Sequence, residues 1–109
     1  MQKQHNAEYF EAIIQIRPLN KEVIEYVFDL IKKRRDVFVS KTNFEKYGCD
    51  IYISDQRYAK SIGKRLKARF KGGILKKSMK LHSYSRIKSK KIYRVTICFR
   101  YENENQKDL

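Results

Sequence analysis

From Tyr9 to Arg17 the chain is rich in β-branched and aromatic residues, and a period of two puts Phe10, Ala12, Ile14 and Ile16 on one face until Pro18 closes the run. This predicts a first strand. The period then changes: Val23, Tyr26, Val27, Leu30 and Ile31 recur at helical spacing behind Asn20, a good N-cap, with Leu19 and Ile24 placed for a hydrophobic staple. Glu22 and Glu25 complement the positive end of the helix dipole and Lys32, Lys33, Arg34 and Arg35 the negative end, so the first helix is expected to run to about Arg35. Val37 to Phe44 and Cys49 to Ser54 read as two short strands around the turn Glu45-Lys46-Tyr47-Gly48, whose glycine can take positive φ. Ser54 or Asp55 caps a second helix with Ala59, Ile62, Gly63, Leu66 and Phe70 on one face, and Gly72-Gly73 stops it.

The remainder is a long hairpin. Leu75, Met79 and Leu81 alternate with Lys76, Ser78, Lys80 and His82. After a turn at Ser85 to Lys90, Tyr93, Val95, Ile97, Phe99 and Tyr101 alternate with Ile92, Arg94, Thr96, Cys98 and Arg100, so one face is apolar and the other largely basic. The order β-α-β-β-α-β-β predicts an α+β fold, a ferredoxin-like split β-α-β with an added strand and helices on one face of a mainly antiparallel sheet.

With 109 residues, of which 41% are hydrophobic, the sequence holds enough for a single domain, expected over residues 9–101 with polar, frayed ends at 1–8 and 102–109. No apolar run reaches the roughly 20 residues that span a bilayer, and Met1-Gln2-Lys3-Gln4-His5 lacks the apolar stretch of a signal peptide. The expectation is a soluble cytoplasmic protein without a membrane partner. Cys49 and Cys98 are far apart and in no Cys-x-x-Cys pair, so no zinc site can be written, and two buried free thiols are expected rather than a disulfide.

Charge divides the chain unequally. Residues 1–55 carry nine basic and nine acidic residues, whereas residues 56–101 carry sixteen basic residues and no acid. A charge run is ordinarily a solvated face, but like charges in this number repel one another unless a polyanion compensates them. In the second helix Arg57, Lys60, Lys64, Lys67 and Lys71 fall in an arc of about 80° at 100° per residue, a ridge suited to tracking phosphates without reading bases. The last hairpin adds Lys76, Lys80, His82, Arg94 and Arg100 on its outward face, with Lys88, Lys90 and Lys91 at or beside its turn. Tyr84 there can stack on an unpaired base, although cross-strand packing is its commoner use. The element order is similar to that of RNA-recognition-motif domains, yet Tyr47-Gly48-Cys49-Asp50-Ile51-Tyr52 does not fit their glycine-aromatic signature.

Catalysis finds little support. His5 lies in the ragged start and His82 among cations without an acid nearby in sequence, while Asp50 and Asp55, conceivable as nuclease metal ligands, are explained by a turn and a helix cap. No nucleophile-base constellation occurs, and no cofactor or metal is implied.

The stretch Tyr9-Phe10-Glu11-Ala12-Ile13-Ile14-Gln15-Ile16-Arg17-Pro18, then Tyr47-Gly48-Cys49-Asp50-Ile51-Tyr52-Ile53, and most specifically Gly72-Gly73-Ile74-Leu75-Lys76-Lys77-Ser78-Met79-Lys80-Leu81 with Lys91-Ile92-Tyr93-Arg94-Val95-Thr96, carry a family resemblance. Over roughly residues 9–101 the sequence resembles the central region of the nonsense-mediated-decay-protein-three family, the eukaryotic large-subunit export adaptor and its archaeal homologues. The resemblance implies binding to the large ribosomal subunit on its subunit-joining face during late maturation, without enzyme activity. The family's zinc-binding Cys-x-x-Cys pairs and leucine-rich export signal are absent from this sequence, so neither zinc binding nor export carries over. The chain looks like one domain of such a protein or a reduced version, and its many Ile and Lys residues suit an archaeal source. The expected function is a non-catalytic module for the large ribosomal subunit or its rRNA, with other subunit-maturation factors as further partners. The alternatives are a protein-interaction domain docking an acidic partner through the basic surface and, third, a small nucleic-acid-processing enzyme.

Overall fold

A computed structural model describes residues 9–85 and 90–102, with side chains described at 9–81 and 93–102. The elements follow the expected order: β1 (Ala12–Arg17), α1 (Lys21–Lys32), β2 (Val39–Glu45), β3 (Gly48–Ile53), α2 (Gln56–Arg69), β4 (Ile74–Ser85) and β5 (Lys90–Arg100). The predicted frayed ends, apart from Glu102, and the tip of the last hairpin at 86–89 lie outside the described residues.

Local chemistry sets the helix starts. Asn20 Oδ1 accepts from the Val23 amide at 3.2 Å, and Asp55 Oδ1 from the Tyr58 amide at 2.9 Å. Of the two candidate caps for α2, Ser54 is otherwise engaged, its Oγ accepting from the Phe38 amide at 3.0 Å. Glu11 adds a carboxylate at the same helix end, where Oε1 accepts from the Gln56 amide at 2.9 Å and favours the positive end of the dipole. Helix α1 stops at Lys32 rather than Arg35. Beyond it Arg34 makes a two-pronged contact with Asp36 at 2.9 and 2.8 Å and lies 4.5 Å from the Tyr58 ring centroid, so this cation works in a local clamp instead of compensating the dipole.

The five-stranded sheet has the order β2-β3-β1-β5-β4. Strand β3 lies between β1 and β2, which is the split β-α-β arrangement, and the pairings β1–β3, β2–β3 and β4–β5 are antiparallel. The added strand does not extend the edge. Instead β5 enters between β1 and β4 and runs parallel to β1, with Ala12, Ile14 and Ile16 in register with Val95, Ile97 and Phe99. These residues, together with Ile53, Ile51 and Cys49 across β3, form the buried face that both helices cover with Val23, Val27, Ile62 and Leu66. Phe70 closes one end of the core, its ring centroid 5.6 Å from Tyr26 and 5.3 Å from Tyr101. Tyr58 is buried as well, and its hydroxyl donates to the Leu30 carbonyl at 2.7 Å, joining the two helices.

Three expectations change. Phe10 leaves the buried face, because a bend at Glu11 breaks the alternation and sets its ring edge-on to Tyr52 at 4.9 Å on the opposite side of the sheet. Gly48 is needed for space and not for positive φ: a Cβ there would lie 2.2 Å from the Ile16 carbonyl oxygen and 2.6 Å from Arg17 Nη1. Positive φ belongs to Gly72, at 94°, just past the end of α2. The thiols also differ from the prediction. Cys49 is buried on the helix-covered face, whereas Cys98, in register with Gln15, is half-buried on the open face, so the sheet itself separates two free cysteines.

Two outcomes follow. Gly48→Ala is expected to cost about 1–3 kcal/mol in chemical denaturation, because the added methyl must displace β1 backbone. Burial, reinforced by the neighbouring Asp50 carboxylate, pushes the Cys49 thiol up to about 11, which leaves it very little thiolate at pH 8. A short iodoacetamide pulse at that pH should therefore label Cys98 first in the native protein and both cysteines in denaturant, and equal native rates would contradict the assignment of faces.

Candidate nucleic-acid interface

The apolar stripe of α2 packs mainly on β5 and β1, and its basic ridge lies beside β4, where Lys60 and Lys64 meet Lys77. Arg57, Lys64 and Lys67 are exposed on that ridge and Lys60 is half-buried. Lys71 is not part of it, since α2 ends at Arg69 and Lys71 sits in the turn before Gly72. Close approach of helix and hairpin depends on Gly63, where a Cβ would meet Ile97 Cγ2 at 3.3 Å and a Leu75 methyl at 3.4 Å. At this contact Lys60 and Lys64 join Lys77 around a cleft of about 130 Å³ floored by Leu75 and Ile97. Lys77 is a residue that sequence reasoning passed over. Its parity with Leu75 and Met79 marked the signal, a cation in an apolar row, which is tolerable only on a strand lacking an outer neighbour.

Among the described residues no helix lies over the other face of the sheet. Strand pairing sets Lys80 opposite Arg94, Lys76 opposite Cys98 and Ile74 opposite Arg100. Lys76, Lys80 and Arg100 are exposed, and Ile74, Lys76, Cys98 and Arg100 line a shallow depression of about 160 Å³. Arg94 is not the free cation that alternation suggests. It is half-buried, its Nε donates to the Phe10 carbonyl at 3.2 Å, and its guanidinium lies 3.9 Å from the Phe10 ring centroid. A register shift between Leu81 and Ser83 falls at His82, whose side chain lies outside the described residues, as do those of Tyr84, Lys88, Lys90 and Lys91.

Toward β2 the open face changes character. Arg17 and Asp50 pair at 2.7 Å with only 15% and 18% of their side chains exposed, and Arg17 also lies 4.9 Å from the Tyr47 ring centroid. Asp50 is thus occupied by an arginine and Asp55 by a helix cap. Among the described residues no three His, Cys, Asp or Glu side chains group as a metal site would require. Lys41 lies 4.5 Å from the Tyr52 ring centroid, so this end of the face presents covered rings and a neutralised pair. At the far edge, beside β2, Leu19, Ile24, Phe28 and Phe44 line a separate apolar groove of about 580 Å³ with Lys21 and Glu25 at its rim.

Between residues 56 and 101, Arg69 alone of the described cations meets a carboxylate, Glu22 of α1, at 3.7 Å across an exposed gap. The ridge of α2 and both sides of β4 therefore form one continuous region of uncompensated positive charge around the sheet edge. Such a surface can hold phosphates by charge.

A family model described as NMD3, second domain, matches residues 9–100. No curated protein matches the chain. Among the described residues no helix is long and apolar enough to cross a membrane.

The two kinds of cation on the open face should separate on mutation. Lys76→Gln and Lys80→Gln each are expected to change stability by no more than about 0.5 kcal/mol, as exposed substitutions do. Arg94→Gln removes a hydrogen bond and a ring contact and should cost about 1–2 kcal/mol by urea denaturation.

Proposed function

The chain belongs to the NMD3 family, which is associated with the large ribosomal subunit, and from that premise we propose that it is a non-catalytic module binding large-subunit rRNA during late subunit maturation. One observation carries the reading: around the β4 edge the described lysines of α2 and β4 have no carboxylate partners, and residues 56–101 contain no acid to supply one, whereas Arg17 and Arg34 earlier in the chain are paired. Lysine is a flexible point charge that matches phosphate oxygens at varied angles. Its neutralisation by a phosphate backbone releases condensed counterions, which supplies the driving force and relieves the mutual repulsion of the unbound state. The strands hold Lys76 and Lys80 on a stiff platform, limiting the entropy lost on binding. Ribosomal proteins and other maturation factors are additional partners in this reading, and the expected location is the cytoplasm.

Co-sedimentation with purified large subunits tests it. Binding should weaken steeply with salt, with a logarithmic slope of about −0.7 to −0.9 per phosphate neutralised. Replacing Lys76 and Lys80 by Gln should flatten that slope by up to about 0.9 per lysine while the melting temperature stays nearly unchanged. Salt-independent binding would overturn the reading, because any docking through this basic surface weakens as salt screens it.

A further inference from the structure

The geometry points to double-helical RNA as the ligand of this surface, its two backbones seated on opposite sides of the edge strand β4; the inference rests on the rRNA-binding reading above and narrows it. Among the described residues strand β4 pairs only with β5, which leaves its outer edge open. Alternation sends Lys76 and Lys80 to the open face of the sheet and Lys77 to the helix side. Each side then carries its own cation-lined hollow: Lys60, Lys64 and Lys77 around about 130 Å³ on the helix side, and Lys76 with Arg100 beside about 160 Å³ on the open face. A single backbone can follow one of these tracks but cannot lie on both sides of a strand at once. Two backbones that flank a groove can.

The wide, shallow minor groove of A-form RNA admits a protein ridge between its two phosphate rims and lines its floor with 2′-hydroxyls. Along the β4 edge, backbone N–H and C=O groups left without a neighbouring strand face outward, ready to exchange hydrogen bonds with those hydroxyls. The competing ligand is an unpaired strand, which binds by laying bases on open aromatic rings. Of the described rings on the open face, Phe10 is covered by Arg94 at 3.9 Å and Tyr52 by Lys41 at 4.5 Å, while the exposed Tyr47 lies beside Arg17 at the β2–β3 end, across the sheet from these lysines. Phosphates on two tracks, and not stacked bases, are what the surface is built to meet.

The experiment compares, by fluorescence anisotropy at one salt concentration, the full chain with a blunt RNA duplex of roughly 16 base pairs, the span of a minor-groove RNA module, and with a polyuridylate strand of equal nucleotide count. The duplex is expected to bind at least about tenfold more tightly, because both tracks are engaged. K76Q/K80Q and K60Q/K64Q/K77Q should each weaken duplex binding, and their combination should weaken it more than either. Circular dichroism confirms folding, and K77Q, at an exposed position, is the single substitution to use if the triple variant does not fold. Equal or tighter binding to polyuridylate overturns the inference, as does a loss confined to one lysine set with the other silent. Sedimentation with large subunits on the same samples separates the two readings. Retained sedimentation without duplex preference overturns the two-sided seat alone, and absence of both sedimentation and RNA binding in the wild-type chain overturns the rRNA reading with it.

Discussion

The parallel pairing of β5 with β1 governs the rest of the molecule. It places Val95, Ile97 and Phe99 in register with Ala12, Ile14 and Ile16, and all six side chains lie beneath the helices with at most 1% of their surface exposed. Each fully buried Val, Ile or Phe contributes about 1.5–3 kcal/mol, so this shared row is a principal source of cohesion. Because β5 takes the interior position, β4 is displaced to the edge. An interior strand could not carry Lys77 in its apolar row, where a charge would be buried without a partner. On an edge the same residue is solvated, and lysines there also discourage pairing with another chain.

The count of charges divides the molecule into a half whose acids balance its cations and a half without acids. Asp50 holds Arg17 against the Gly48 turn, and Asp36 clamps Arg34 beside Tyr58. The Asp36 carboxyl is held below its ordinary range by the hydrogen bond from Arg34. In the neighbourhood of α2, β4 and β5 there are cations without such partners, and their mutual repulsion works against the folded state. The core outweighs that repulsion, and bound phosphate removes it. Exposed, unpaired lysines at a well-packed edge are therefore a feature that folding tolerates and binding uses.

Arg94 belongs to both halves. Its position opposite Lys80 puts it in the basic field, yet its hydrogen bond to the Phe10 carbonyl ties the segment before β1 to β5. Glu11, one residue on, reaches the N-terminus of α2 and accepts from the Tyr9 hydroxyl. A short stretch ahead of the first strand thus links sheet and helix, and the bend it needs is what turns Phe10 out of the core.

Much of the fold was legible in the sequence because it depends on local chemistry and on periods of 2 and 3.6. Asn20 as a cap, Ser54 or Asp55 as the other, the buried faces of both helices, the alternation in β5 and the element order could all be read from neighbours in the chain. The uncompensated charge of residues 56–101 was legible too, since it is a matter of counting. What only the tertiary structure decided depends on contacts between residues distant in sequence. Whether β4 or β5 lies beside β1 is a choice of pairing that no local period encodes, and it alone determines that Lys77 faces a cleft with Lys60 and Lys64. The turned ring of Phe10, the tethered guanidinium of Arg94 and the crowding at Gly48 arise in the same way. A residue's type and period state which face it prefers, but the partner that occupies that face is supplied by a strand or helix tens of residues away.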